Sequence, residues 1–91
     1  MNNTRRKSIR ELIDRIEKLH AELEVINEDL EAIKDEEEEA FDNLPESLQE
    51  SERGETMQNA VDSMDDVLMS IEDILDSMSD ATSDLEEIIE Q

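Results

Sequence analysis

Residues 55–89 read ETMQNAV, DSMDDVL, MSIEDIL, DSMSDAT and SDLEEII, five blocks of seven in a single phase. Positions three, six and seven of each block are apolar, or small in the fourth. One column runs Met57, Met64, Ile71, Met78, Leu85. A second runs Ala60, Val67, Ile74, Ala81, Ile88, and a third Val61, Leu68, Leu75, Thr82, Ile89. Seven residues are about two turns of an α-helix, so each column is a line along one side of a rod. Three such lines make a stripe wider than a two-stranded seam needs.

The same spacing appears toward the N-terminus. Ile9, Leu12, Ile16, Leu19, Leu23, Ile26, Leu30 and Ile33 step by three and four without a slip. Glu37 interrupts the series, and Ala40 and Leu44 resume it. These read as the paired core columns of a second heptad helix, with Ile13 and Phe41 flanking them. A composition this charged, with one aromatic residue, sits near that of disordered chains. The sustained phase decides against disorder.

Between the two patterns lie the only proline and the only glycine. Asn43 and Pro45 stop the first helix, because the residue before a proline avoids the α region. Gly54 opens the second pattern. The chain is therefore expected to be all-α and a single domain over 1–91, with helices over about 4–42 and 55–90. The link 43–53 has room for a short helical turn, with Pro45 at its first position and Leu44 and Leu48 facing inward. Each long helix spans about 55–60 Å at ~1.5 Å per residue. Matched helices on a short link fold back as an antiparallel coiled-coil hairpin.

Ordering costs about 1.5 kcal/mol per residue, so a bare two-helix unit of this charge is marginal. The extra column on the second helix, with Ile13 and Phe41 beside the first stripe, points to a further partner. The expected partner is a second copy, giving a homodimer and a four-helix bundle. Leu68, Ile71, Ile74, Leu75 and Met78 form its core or dimer stripe.

The formal charge is −21, from 29 acids and 8 bases. The charge is unevenly placed. Residues 1–18 net +3 through Arg5, Arg6, Lys7, Arg10, Arg15 and Lys18, while residues 19–91 net −24. An antiparallel hairpin sets the basic end beside Asp84, Glu86, Glu87 and Glu90. The net charge excludes direct binding to nucleic acid or to an anionic membrane, both polyanions. No apolar run approaches a membrane span, and no signal-peptide core is present, so a cytoplasmic protein is expected. Lack of cysteine removes thiol catalysis and the common zinc sites.

Catalysis has no support. There is no glycine-rich phosphate loop, no nucleophile with a base, and no cleft to shift a carboxylate pKa. The chain is expected not to be an enzyme and to hold no cofactor or metal. Glu17 and His20 match the Glu-x-x-His spacing of di-iron bundles, but one histidine cannot supply the two pairs such a site needs. His20 therefore reads as a flanking surface residue. Calcium-loop spacing is absent from Glu36–Glu39. Ser63, Ser70 and Ser77 each have an acid three residues on, which suits an acidophilic kinase. The plainer reading is small polar residues at a helix boundary position.

Residues 55–91 hold 12 acids and no base. Doublets at Asp65–Asp66, Glu72–Asp73, Ser79–Asp80 and Glu86–Glu87 recur at about 10.5 Å. This helix forgoes every Glu–Lys pair that ordinarily stabilises an exposed helix. Over the hairpin, the 26 acids of residues 19–91 along about 60 Å give roughly one acid per 2.3 Å, similar to the about one charge per 1.7 Å of duplex DNA, and such a rod suits a basic groove built for phosphates. The candidate partner surface is Glu36, Glu38, Glu39, Asp65, Asp66, Glu72, Asp73, Asp76, Asp80, Glu86 and Glu87.

In size, charge and acidic heptads such as DSMDDVL and MSIEDIL, the chain resembles the small acidic, Cys-free proteins of phages and mobile elements. The link FDNLPESLQESERGE is similar to that of phage-type acidic hairpin proteins. Proteins of that class act as DNA mimics against restriction enzymes or CRISPR nucleases. The resemblance implies a basic, nucleic-acid-handling partner, an inhibitory function and a site of action in the host cytoplasm. The basic N-terminus departs from a pure mimic. The alternatives are a structural or adaptor coiled coil without mimicry, and an acidic chaperone that shields a basic client.

Overall fold

A computed structural model describes residues 1–91. It is 91% helical and has no strand. Helix α1 is Asn3–Asp42, α2 is the single turn Glu46–Gln49, and α3 is Glu52–Glu90. α1 and α3 lie antiparallel in a rod 69 × 15 × 13 Å. Three cross-links mark the pairing from the open end to the link. Arg6 Nε donates to Ile89 O at 3.1 Å, His20 Nε2 meets Ser79 Oγ at 3.3 Å, and Lys34 Nζ meets Asp65 Oδ1 at 2.8 Å.

The helix ends are handled unequally. The Asn2 side chain caps α1, accepting from Arg5 N at 2.8 Å. α1 then carries bases in its first turns and acids in its last, against its own dipole at both ends. The hairpin offsets this at the open end, where the Arg6 guanidinium satisfies a carbonyl in the last turn of α3. At the link, Gln49 Nε2 reaches the carbonyls of Phe41 and Leu44, both at 3.2 Å. One side chain from α2 thus closes the C-terminus of α1. Leu44 is half-buried there, but Leu48 is exposed, since the single turn of α2 turns Gln49 inward instead.

α3 begins at Glu52, so Gly54 lies inside its first turn rather than ahead of it. Gly54 is buried, and its φ is not positive. The glycine is needed for space. A Cβ there would stand 2.1 Å from the Gln49 carbonyl oxygen and 2.7 Å from that of Leu48. The missing side chain lets α3 turn away directly against the end of α2.

The seam of α1 differs from the expected one. Ile9, Ile16, Leu23 and Leu30 do face α3, as the spacing predicts. Their partner column is Ile13, His20, Asn27, Lys34 and Phe41, not Leu12, Leu19, Ile26 and Ile33. Leu19 is 62% exposed and Ile33 53%. On α3 the columns through Ile71 and through Leu68 face inward, and that of Val67 and Ile74 faces out. One neighbouring helix covers two columns of a three-column stripe, and the third is left in water. The arrangement found buries Ile13, half-buries the lone aromatic Phe41, and gives Lys34 its acid. His20 is therefore a half-buried seam residue rather than a flanking surface one.

The resulting core is thin. Ile13, Val61 and Ile71 are the only buried apolar side chains. The middle of the seam on α1 is polar, and Asn27 Oδ1 is buried there without a hydrogen-bond partner.

Candidate functional site

The hairpin has two unlike edges. The residue following each seam position Ile16, Leu23, Leu30 and Glu37 is Glu17, Glu24, Glu31 and Glu38. The matching positions on α3 are Asp65, Glu72, Ser79 and Glu86. These two columns border the same grooves. One groove is lined by Arg10, Ile13, Asp14 and Glu17 against Glu86, Ile89 and Glu90. The next has Glu17 and His20 against Ser79 and Thr82, and the third has Asn27, Glu31 and Lys34 against Asp65, Leu68 and Glu72. This is the acidic edge.

Because both acidic columns lie on one side of the seam, the columns on the far side of each helix share the other edge. Those are Leu12, Leu19, Ile26, Ile33 and Ala40 on α1, and Ala60, Val67, Ile74 and Ala81 on α3. The column beyond them on α3 is Thr56, Ser63, Ser70 and Ser77. None of these residues is charged, in a chain that is 41% charged. A groove of about 390 Å³ opens on this edge, lined by Ile16 of α1 and by Asp73, Ile74, Ser77, Met78 and Ala81 of α3. Charge returns at both rims, at Arg15, Glu22, Asp29 and Glu36 on α1 and at Asp66, Asp73 and Asp80 on α3, and Asp84 ends the serine column.

The candidate acids do not converge on one patch. Asp65, Glu72, Glu86 and Glu38 lie on the acidic edge, with Asp76 just outside it. Asp66, Asp73, Asp80, Glu87 and Glu39 run along the backs of the helices, and Glu36 stands on the opposite rim. Glu36, Glu38 and Glu39 sit at the link end and Glu86 and Glu87 at the open end of the 69 Å rod. All are exposed except Glu38 and Asp65, which are half-buried because both approach Lys34. Of the core-stripe candidates, Ile71 is buried, Leu68, Leu75 and Met78 are half-buried, and Ile74 is outside on the uncharged edge.

Lys34 is the base that sequence reasoning missed. Its side chain is only 18% exposed and contacts Asp65 at 2.8 Å and Glu38 at 3.9 Å. The Asp65 hydrogen bond holds its ammonium above the ordinary value of 10.5, partly opposed by desolvation. The signal was present in the spacing. His20, Asn27 and Lys34 are one column with Ile13 and Phe41 at its ends, and polar residues in a core column commonly set register. The side-chain contacts to acids are those of Lys34 with Asp65 and Glu38 and of His20 with Glu24. None uses an arginine of the basic end.

His20 Nδ1 contacts Glu24 Oε1 at 2.8 Å, so its neighbours are Glu24 and Ser79 rather than a second histidine. No three His, Cys, Asp or Glu side chains are grouped to hold a metal ion. No helix is long and apolar enough to cross a membrane. No protein family, curated protein or solved structure matches this chain.

Proposed function

We propose that this chain is a polyanion mimic that occupies the basic groove of a nucleic-acid-handling protein, such as a restriction or CRISPR nuclease, and blocks it. The observation that carries this reading is the separation of charge. A straight rod 69 Å long has acids along one edge and both backs, and no base in its last 38 residues. Fixed carboxylates on such a rod can displace the counterions of a phosphate-binding groove as a nucleic acid does. The reading includes a homodimer, closed as a four-helix bundle.

The test is a pull-down at low salt with DNA as competitor. Binding should fall steeply with salt and be lost to DNA. Reversing Asp66, Glu72, Asp73 and Asp76 to Lys should abolish inhibition while leaving the far-ultraviolet spectrum helical. Asp65 is spared because it serves Lys34. Binding that persists at high salt, or that DNA does not compete, rejects the mimic.

The uncharged edge favours a second reading, an adaptor coiled coil whose charge only keeps it dissolved. On that reading Ile74→Asp removes partner binding, and the four charge reversals do not.

A further inference from the structure

We propose that the uncharged edge is the homodimer interface, and that pairing there brings the rod to the charge density of duplex DNA. The first half rests on the homodimer part of the reading above, and the second on its polyanion part.

Two quantities point to a second copy as the occupant. The first is charge. At −21, two copies repel one another on every side of the rod that carries acids. The uncharged edge is the side on which they can approach without stacking carboxylates, and Ser63, Ser70 and Ser77 are small enough to admit a neighbouring helix. The second is area. The uncharged columns run from Leu12 to Ala40, about 42 Å at ~1.5 Å per residue, and an edge of that length 15 Å wide is roughly 630 Å², at the low end of the roughly 600–1,000 Å² per partner of specific interfaces. It also has the expected anatomy of an aliphatic strip with a charged rim.

The hairpin's own packing supports the same occupant. α1 turns its all-aliphatic column outward and keeps His20, Asn27 and Lys34 inside. Leu19, Ile26, Val67 and Ile74, near the middle of their helices, are each 45–62% exposed. A helix with apolar residues in three columns of seven suits a bundle, where it touches two neighbours. In this hairpin each long helix has one.

Pairing through this edge leaves the acidic edges and helix backs outside. It doubles the charge on an unchanged length. The net spacing falls from one per about 3.3 Å to one per about 1.6 Å, beside about 1.7 Å for duplex DNA. The dimer, rather than the single hairpin, then has the linear density of a duplex.

Sedimentation equilibrium of the full chain at about 0.5 M salt, where repulsion is screened within a few ångströms, should give twice the 10.5 kDa chain mass. Leu19→Asp with Ile74→Asp should weaken the dimer by about 100-fold or more, by burying unpaired charge. Because that variant can also lose its fold, single-cysteine variants give a second test in a chain with no native cysteine. Cysteines scanned through positions 19, 26, 67 and 74 should form an intermolecular disulfide at the site nearest the two-fold axis, and Asp66→Cys should not. A monomer at high salt, or cross-linking at 66 and at none of the four, overturns the interface. A dimer whose basic-protein binding is insensitive to DNA keeps the interface and rejects the polyanion reading. Binding that DNA competes for, by a chain that sediments as a monomer, does the reverse.

Discussion

Replacing Gly54 with alanine separates intrinsic propensity from packing. In an exposed helix interior this change stabilises by about 1 kcal/mol, because glycine loses more backbone freedom. At Gly54 the added Cβ would lie 2.1 Å from the Gln49 carbonyl oxygen. That is about 1 Å inside contact distance, and both oxygens it meets are backbone atoms held by α2. Relief requires moving α2 away from α3, which disturbs the Gln49 cap on α1. Overpacking of this kind costs about 1–3 kcal/mol, and the strain here belongs at or above the upper end. After the propensity gain, the expected net loss is about 2 kcal/mol or more, a fall of at least roughly 8–16 °C in midpoint for a domain of this size. Thermal unfolding followed by circular dichroism reads it directly. Ser70→Ala, on the exposed face of α3, is the control and should raise the midpoint slightly. A Gly54→Ala chain that melts higher than wild type would refute the close-approach argument.

Three further outcomes follow from the seam. Ile71→Ala should cost about 2–3 kcal/mol in urea unfolding, since Ile71 is 8% exposed and among the few buried aliphatics; a change under about 0.5 kcal/mol would mean that the seam lies elsewhere. Asn27→Leu should stabilise by about 1 kcal/mol by removing an orphaned buried oxygen, and a lower midpoint would show that the oxygen is satisfied. Lys34 has a raised folded pKa, so its contribution is full below the unfolded value near 10.5 and is lost as pH rises through the higher folded value. As pH rises above about 10.5, wild type should therefore lose more stability than Lys34→Met. Equal losses would show that the Asp65 contact does not stabilise the fold.

The heptads of α3 were legible because all three of its columns are apolar and any seam uses two of them. α1 was harder. Ile9, Ile16, Leu23 and Leu30 belong to the seam on either choice of partner column, and hydrophobicity favoured Leu12, Leu19, Ile26 and Ile33. The structure pairs them with His20, Asn27 and Lys34 instead. Hydrophobicity ranks columns by what they would gain from burial anywhere. It does not say which neighbour buries them, and a two-helix contact selects by fit and by ion pairs such as Lys34–Asp65. Gly54 was legible as punctuation, but the close approach that requires it depends on where α2 ends. The acidic edge was legible only in part: Asp65, Glu72 and Glu86 border the seam while their neighbours Asp66, Asp73 and Glu87 lie on the back, and that division depends on which columns face α1.

The cross-links that align α1 and α3 also order how the chain comes together. Phe41 and Gln49 are eight residues apart, Lys34 and Asp65 thirty-one, His20 and Ser79 fifty-nine, and Arg6 and Ile89 eighty-three. The contacts are nested. Once the link has formed, each further pair closes only a short additional loop, so the entropy of each step stays small. Such a chain zips from the link outward, and its long-range contacts do not slow it as those of a sandwich would. The same nesting sets the order of opening. Amide protection should be greatest around Val61 and decline toward Arg6 and Ile89, so the basic end is the last part of the hairpin to close and the first to fray.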